Sequence, residues 1–175
     1  MALYLLKFNC PKSLAKECPM IKVNTILWPT DLSEYAAQAL PYAVEMARSF
    51  RARLHLLHVI DPLWLAPTRG AEFPGPAAGD IAPLQKSAAE ELRHLQAGVE
   101  GVEGVKVETA VGTGVPHAEI VRYAREENID LIVLTTHGRT GLSHALIGSA
   151  AEKVVQMATC PVLTIKHPEH EFVLP

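Results

Sequence analysis

Residues 131–154 read LIVLTTHGRTGLSHALIGSAAEKV. The stretch opens on an apolar run, as a strand buried on both faces should. From residue 136 to 148 the chain turns small and polar. It carries Gly138, Gly141 and Gly148 there, and no acidic side chain. Ser149 and Glu152 then stand in the S-x-x-E spacing of a capping box, which marks a helix start. Strand, glycine-bearing connection and helix in this order make half of a βαβ unit.

The same alternation extends in both directions. Toward the C-terminus, SAAEKVVQMA reads as a helix and PVLTIK as a last strand. Toward the N-terminus, PHAEIVRYAREEN is a helix with Pro116 in its first turn, and VKVETAV alternates like a strand. A helix is expected over roughly 81–97. RLHLLHVI is apolar almost throughout, as a strand covered on both faces should be. SEYAAQALPYAVEMARSF has helical spacing with a kink expected at Pro41, and VNTILW is a strand ended by Pro29. The Pro- and Gly-dense DPLWLAPTRGAEFPGPAAGD is a loop, long for a compact domain and so expected to be either mobile or functional. The order βαβαβαβαβ predicts an α/β fold: a parallel sheet with helices on both faces.

A chain of 175 residues suits one domain. Hydrophobic residues are 49% and charged ones 20%, an ordinary globular balance. The net charge of -3 argues against nucleic-acid or membrane-surface binding, which calls for a basic patch. Cys10, Cys18 and Cys160 are odd in number and widely spaced, so free thiols in a reducing cytoplasm are expected rather than a disulfide framework. Residues 1–19 have a short apolar stretch without a basic start, and Pro11 and Pro19 interrupt it. They read as an N-terminal extension, the alternative being an arm that touches a partner or membrane. The domain is expected over 20–168, with a tail at 169–175.

Several motifs point away from catalysis. VGTGVPH resembles the start of a dinucleotide fingerprint, but its third glycine is His117, so a tight turn with permissive angles at Gly112 and Gly114 is expected. No P-loop, H-E-x-x-H or G-x-S-x-G motif occurs. His55 and His58 lie three apart on a strand, on opposite faces, and cannot share a metal ion. No protein-built metal site is expected.

Two stretches point toward a ligand. In open α/β sheets, ligands sit beyond the carboxyl ends of strands, where the strand order reverses. In PTDLSE, Asp31 either caps a helix with Glu34, a task Ser33 could also perform, or offers its carboxylate to the hydroxyls of a ribose. The stretch 135–150 brings Gly138 and Gly148, where a ligand can approach bare backbone, together with Arg139 and a helix N-terminus with about half a positive charge. That combination suits a phosphate.

These residues resemble the universal stress protein family. Its pattern is Gly, two residues, Gly, nine residues, then Gly-Ser or Gly-Thr; Gly138, nine residues and Gly148-Ser149 match it, and Thr135 replaces the first glycine. HGRTGL, CPVLTIK, ILWPTDLSE and LLHVID also resemble the family, over about residues 20–167. The resemblance implies a five-stranded sheet in the order 3-2-1-4-5 and a site for ATP. Asp31 would hold the ribose, Val59 would meet the adenine through its backbone, and Pro29 and Thr30 would line the base pocket. Gly138, Arg139, Gly148, Ser149 and Ala150 would surround the phosphates, with Thr135, His137 and Gly141 in the same site and Mg2+ accompanying the nucleotide. It further implies a homodimer through the last strand, Pro161 to Lys166, and a stress-response switch or interaction module. A nucleotide-independent interaction protein and a slow ATP hydrolase are the alternatives.

Overall fold

A computed structural model of the chain describes residues 22–62, 81–101, 105–136 and 149–166. The elements in order are β1 (Thr25–Thr30), α1 (Glu34–Ala37), α2 (Leu40–Phe50), β2 (Arg53–Ile60), α3 (Ala82–Glu100), β3 (Lys106–Thr113), α4 (Pro116–Glu126), β4 (Leu131–Thr135), α5 (Ser149–Met157) and β5 (Val162–Ile165). The five strands pair in parallel in the order β3-β2-β1-β4-β5. The extension at 1–19, the long loop after β2 and the tail at 169–175 lie outside the described residues.

Side-chain alternation along each strand builds two core layers. Ile26 and Trp28 of β1, Leu54 and Leu56 of β2 and Val133 of β4 meet Ala43 and Ala47 of α2 and Leu92 of α3. Leu27, Leu57, Ile132 and Leu134 face the opposite way and meet Ile120 and Ala124 of α4 and Ala151 and Val154 of α5. Burial on both faces explains the unbroken apolar runs of the central strands. Truncating a fully buried leucine such as Leu27 to alanine would cost about 2–5 kcal/mol.

Three proline and glycine expectations are corrected. Pro29 does not end β1 but lies inside it. β1 keeps register with β2 through Thr30, but it pairs with β4 only at Ile26 and Leu27. The missing Pro29 N–H therefore falls where β1 and β4 have parted. Pro41 does not kink one helix; the chain divides into α1 and α2, and Pro41 sits in the first turn of α2, where no N–H is needed. Of the two glycines in VGTGVPH, only Gly114 takes a positive φ, at 144°. Gly112 is a strand residue in register with Val59.

The amino end of the sheet is pinned by a carboxylate. Asp130 Oδ2 accepts the Asn24 N–H at 2.7 Å and the Thr25 N–H at 3.1 Å. Burial pushes the Asp130 pKa up, but those hydrogen bonds outweigh it and hold the group below its ordinary value. Asp130 thus ties the starts of β1 and β4 together and leaves their carboxyl ends to diverge.

Candidate nucleotide site at the carboxyl ends of the strands

β2 and β3 lie on one side of β1, and β4 and β5 on the other. The strand order reverses between β1 and β4, where the two strands part after Leu27. A cleft of about 610 Å³ opens there. That volume suits a nucleotide-sized ligand.

Of the residues singled out by sequence, Pro29, Thr30, Asp31, Val59, Thr135 and Ala150 all line this one cleft. Pro29, Thr30 and Asp31 arrive on β1 and the turn after it, Val59 on β2 and Thr135 as the last residue of β4. Ala150 belongs to the first turn of α5, which begins at Ser149. His137, Gly138, Arg139, Gly141 and Gly148 lie outside the described residues. The described residues on either side of them, Thr135 and Thr136 before and Ala150 after, line the cleft.

Side-chain hydrogen bonds shape the turn bearing Asp31. The Leu32 N–H donates to Thr30 Oγ1 at 3.0 Å, and the Ser33 N–H donates to Asp31 Oδ1 at 3.0 Å. Leu32 between them takes a left-handed φ of 63°, a conformation costing a leucine roughly 1–2 kcal/mol. The N-cap of α1 is Ser33, whose Oγ accepts the Ala36 N–H at 3.2 Å. Asp31 is therefore not the cap, and of its two readings the strand-end carboxylate is the one with a matching position.

Thr135 pairs with Ile165 in the sheet and is not among the residues with positive φ. A threonine fits extended backbone, so replacing the family glycine introduces a side chain at the cleft without left-handed strain. The charges around the cleft are distributed by element. Asp31 and Asp61 follow β1 and β2, whereas Lys153 comes from α5. The positive pole of the α5 N-terminus and Lys153 lie on the same element, the side suited to an anion.

Some lining residues escape the sequence reading. His58 lines the cleft, as do Leu84 and Glu91 of α3, and His117 at the start of α4. The sequence reading considers His58 only as a metal ligand. Its place next to Val59, near the end of β2, is the signal that could have found it. Strand alternation does separate it from His55, which meets Tyr123 of α4 at 3.0 Å on the other face. Among the described residues, no group of His, Cys, Asp or Glu stands ready to hold a metal ion. No helix among them is long and apolar enough to cross a membrane.

Comparison with known proteins agrees with this geometry. The family profile described as the universal stress protein family matches residues 22–166. Universal stress protein MJ0531 of Methanocaldococcus jannaschii is 37% identical over 149 residues, covering 83% of this chain and 84% of that protein. The solved structure of universal stress protein UspA from Lactobacillus plantarum superposes with a TM-score of 0.69 at 28% identity, over 82% of this chain and 98% of that one. Two more distant structures share the fold: an Archaeoglobus fulgidus universal stress protein in complex with dAMP (24% identity, TM-score 0.58, 84% and 100% covered) and a universal stress protein in complex with cAMP (21%, 0.56, 83% and 98%). From the family match along 22–166 and the shared fold, the chain belongs to the universal stress protein family.

Proposed function

We propose that this protein binds an adenine nucleotide, ATP foremost, in the cleft between β1 and β4, and works as a ligand-dependent switch or interaction module in a stress response. The observation that carries the reading is convergence. Residues from β1, β2, β4 and α5, named from the family resemblance and lying far apart in the sequence, meet around one cavity at the reversal of strand order. Asp31 takes the ribose hydroxyls, the Val59 backbone meets the base, and the connection from His137 to Ser149 wraps the phosphates. Mg2+ travels with the phosphates as their counter-ion. That relatives of the same fold were solved with dAMP and cAMP is in keeping with an adenine ligand.

The setting is proposed as the cytoplasm, and the assembly as a homodimer through β5. β5 ends the sheet with all four residues half-buried, a form of edge that invites covering. One observation favours the nucleotide-independent alternative: Thr135 stands where the family pattern has glycine. Calorimetric titration with ATP separates the two readings. Saturable binding, displaced by AMP more readily than by GMP, supports the nucleotide reading. No heat at millimolar ATP, together with no nucleotide released from the denatured protein, supports the alternative.

A further inference from the structure

We infer that His58 is the positioning residue of this site: its imidazole anchors the end of β1 and so sets where the Asp31 carboxylate stands. The inference rests on the nucleotide reading above and names a residue to which the sequence pattern gives no role.

His58 Nδ1 lies 2.9 Å from the Thr30 carbonyl oxygen, and the contact is buried. A carbonyl oxygen only accepts, so Nδ1 carries the hydrogen. Whenever the ring is neutral, this bond selects one tautomer, with the lone pair on Nε2. Thr30 is the last residue of β1 and stands level with His58 in the parallel register. Beyond Leu27, β1 has parted from β4 and no longer has that neighbour to hold it. The His58 bond therefore fastens the last residue of β1 to β2, the neighbour it keeps.

The turn that carries Asp31 is continuous with that anchored residue. Thr30 Oγ1 receives the Leu32 N–H, Leu32 takes its left-handed φ of 63°, and Ser33 then reaches back to Asp31 Oδ1. The Thr30–Asp31 peptide plane is common to the His58 bond and the Asp31 backbone. With the bond gone, that plane can rotate and Leu32 can relax from its strained conformation. Asp31 then leaves the position a ribose would meet. His58 acts through Asp31, with no contact of its own to the sugar required. Its ring lines the cleft yet is only 8% exposed, so packing as well as the hydrogen bond holds it.

The test is a double-mutant cycle on ATP affinity, using the full chain and His58→Ala, His58→Asn, Asp31→Ala and the His58→Ala/Asp31→Ala pair. His58→Ala is expected to weaken ATP binding about tenfold, the scale of losing one positioned charge-assisted contact. His58→Asn, whose side-chain N–H can reach the same carbonyl, is expected to recover most of that loss. In the Asp31→Ala background, His58→Ala is expected to cost nothing more, because the group it positions is already absent. The ring nitrogens of His58, read by NMR in the nucleotide-free protein, are expected to show hydrogen on Nδ1 and a bare Nε2. Multiplicative losses, or wild-type affinity in His58→Ala, would overturn the inference while leaving the nucleotide reading intact. An Nε2–H tautomer would overturn it without reference to any nucleotide. Full ATP affinity in Asp31→Ala would sink the inference together with the ribose role on which it rests. If His58→Ala does not fold, the wild-type, His58→Asn and nitrogen measurements still decide: a His58→Asn protein that binds as weakly as Asp31→Ala counts against the inference.

Discussion

Asp31 directly follows β1 and Thr135 ends β4, one on each side of the reversal, and both residues line the cleft. Asp31→Ala is expected to lower ATP affinity about ten- to a hundredfold, since a hydrogen bond to a charged group contributes roughly 1.5–3 kcal/mol. Its melting temperature should fall only modestly, because Ser33 remains to cap α1 although it loses its bond to Asp31 Oδ1. Titration beside thermal melting checks both halves, and a large drop in melting with unchanged affinity would reassign Asp31 to the fold. Thr135→Gly is expected to tighten ATP binding several-fold by removing a β-branched side chain from the cleft. It should also slightly destabilise the ligand-free protein, because glycine frees the unfolded backbone. Equal or weaker binding by the glycine variant, titrated at equal ionic strength, would make Thr135 a positive contact instead. At this scale the sequence is most legible where residues sit at strand ends in a familiar spacing. It is least legible at His58, whose partner is a backbone carbonyl on a different strand. No spacing rule announces such a contact.

Elements are legible where hydrophobic period decides them and less so where proline does. The apolar run at residues 131–135 and the helical pattern of α4 appear where periodicity puts them. Pro29 and Pro41 depart from expectation because a proline is tolerated wherever its missing N–H has no partner to lose, and only the tertiary arrangement says where that is. Between β2, β3 and α4 lies an element-scale pH dependence. His55 is 1% exposed, its Nδ1 meets Tyr123 and its Nε2 has no hydrogen-bond partner among the described residues. Glu108 of β3 stands 4.0 Å from Nε2, Arg53 lies on the same strand as His55, and Glu127 follows α4. Burial lowers the His55 pKa against the raising pull of Glu108, and burial pushes Tyr123 up to about 12. The unfolded histidine takes its proton near pH 6.5, roughly its free value, and the folded one only below that. The unfolded state therefore binds more protons as pH falls through that range, and stability declines with it until the folded ring also protonates. Asp130, with its lowered pKa, adds a separate loss only in stronger acid. His55→Gln is expected to flatten the loss of stability between about pH 7 and pH 5, measured as denaturant midpoints. A variant as acid-sensitive as the wild type would show that another group carries the effect.

For the whole molecule, alternation of strands and helices suffices for a parallel sheet, whereas the order 3-2-1-4-5 comes only with the family resemblance. Strand order depends on which edges meet in space, and local periodicity is silent about that. The same order leaves β5 at an edge with Val162, Leu163 and Ile165 half-buried, and α5 before it exposes Val155 and Met157. A homodimer covering this edge is expected to give twice the chain mass in light scattering at tens of micromolar. A monomer mass there would count against it. The reversal of order between β1 and β4 also makes the cleft, and the claim that an adenine nucleotide occupies it is the centre of the account. The most direct test is an amide NMR titration with ATP. Resonances of Thr30, Asp31, Val59, Thr135 and Ala150 are expected to shift together along one saturable curve, while those of α2 and the amino end of the sheet around Asn24 and Asp130 stay still. A spectrum unchanged at millimolar ATP, or shifts centred away from the carboxyl ends of β1 and β4, would contradict it.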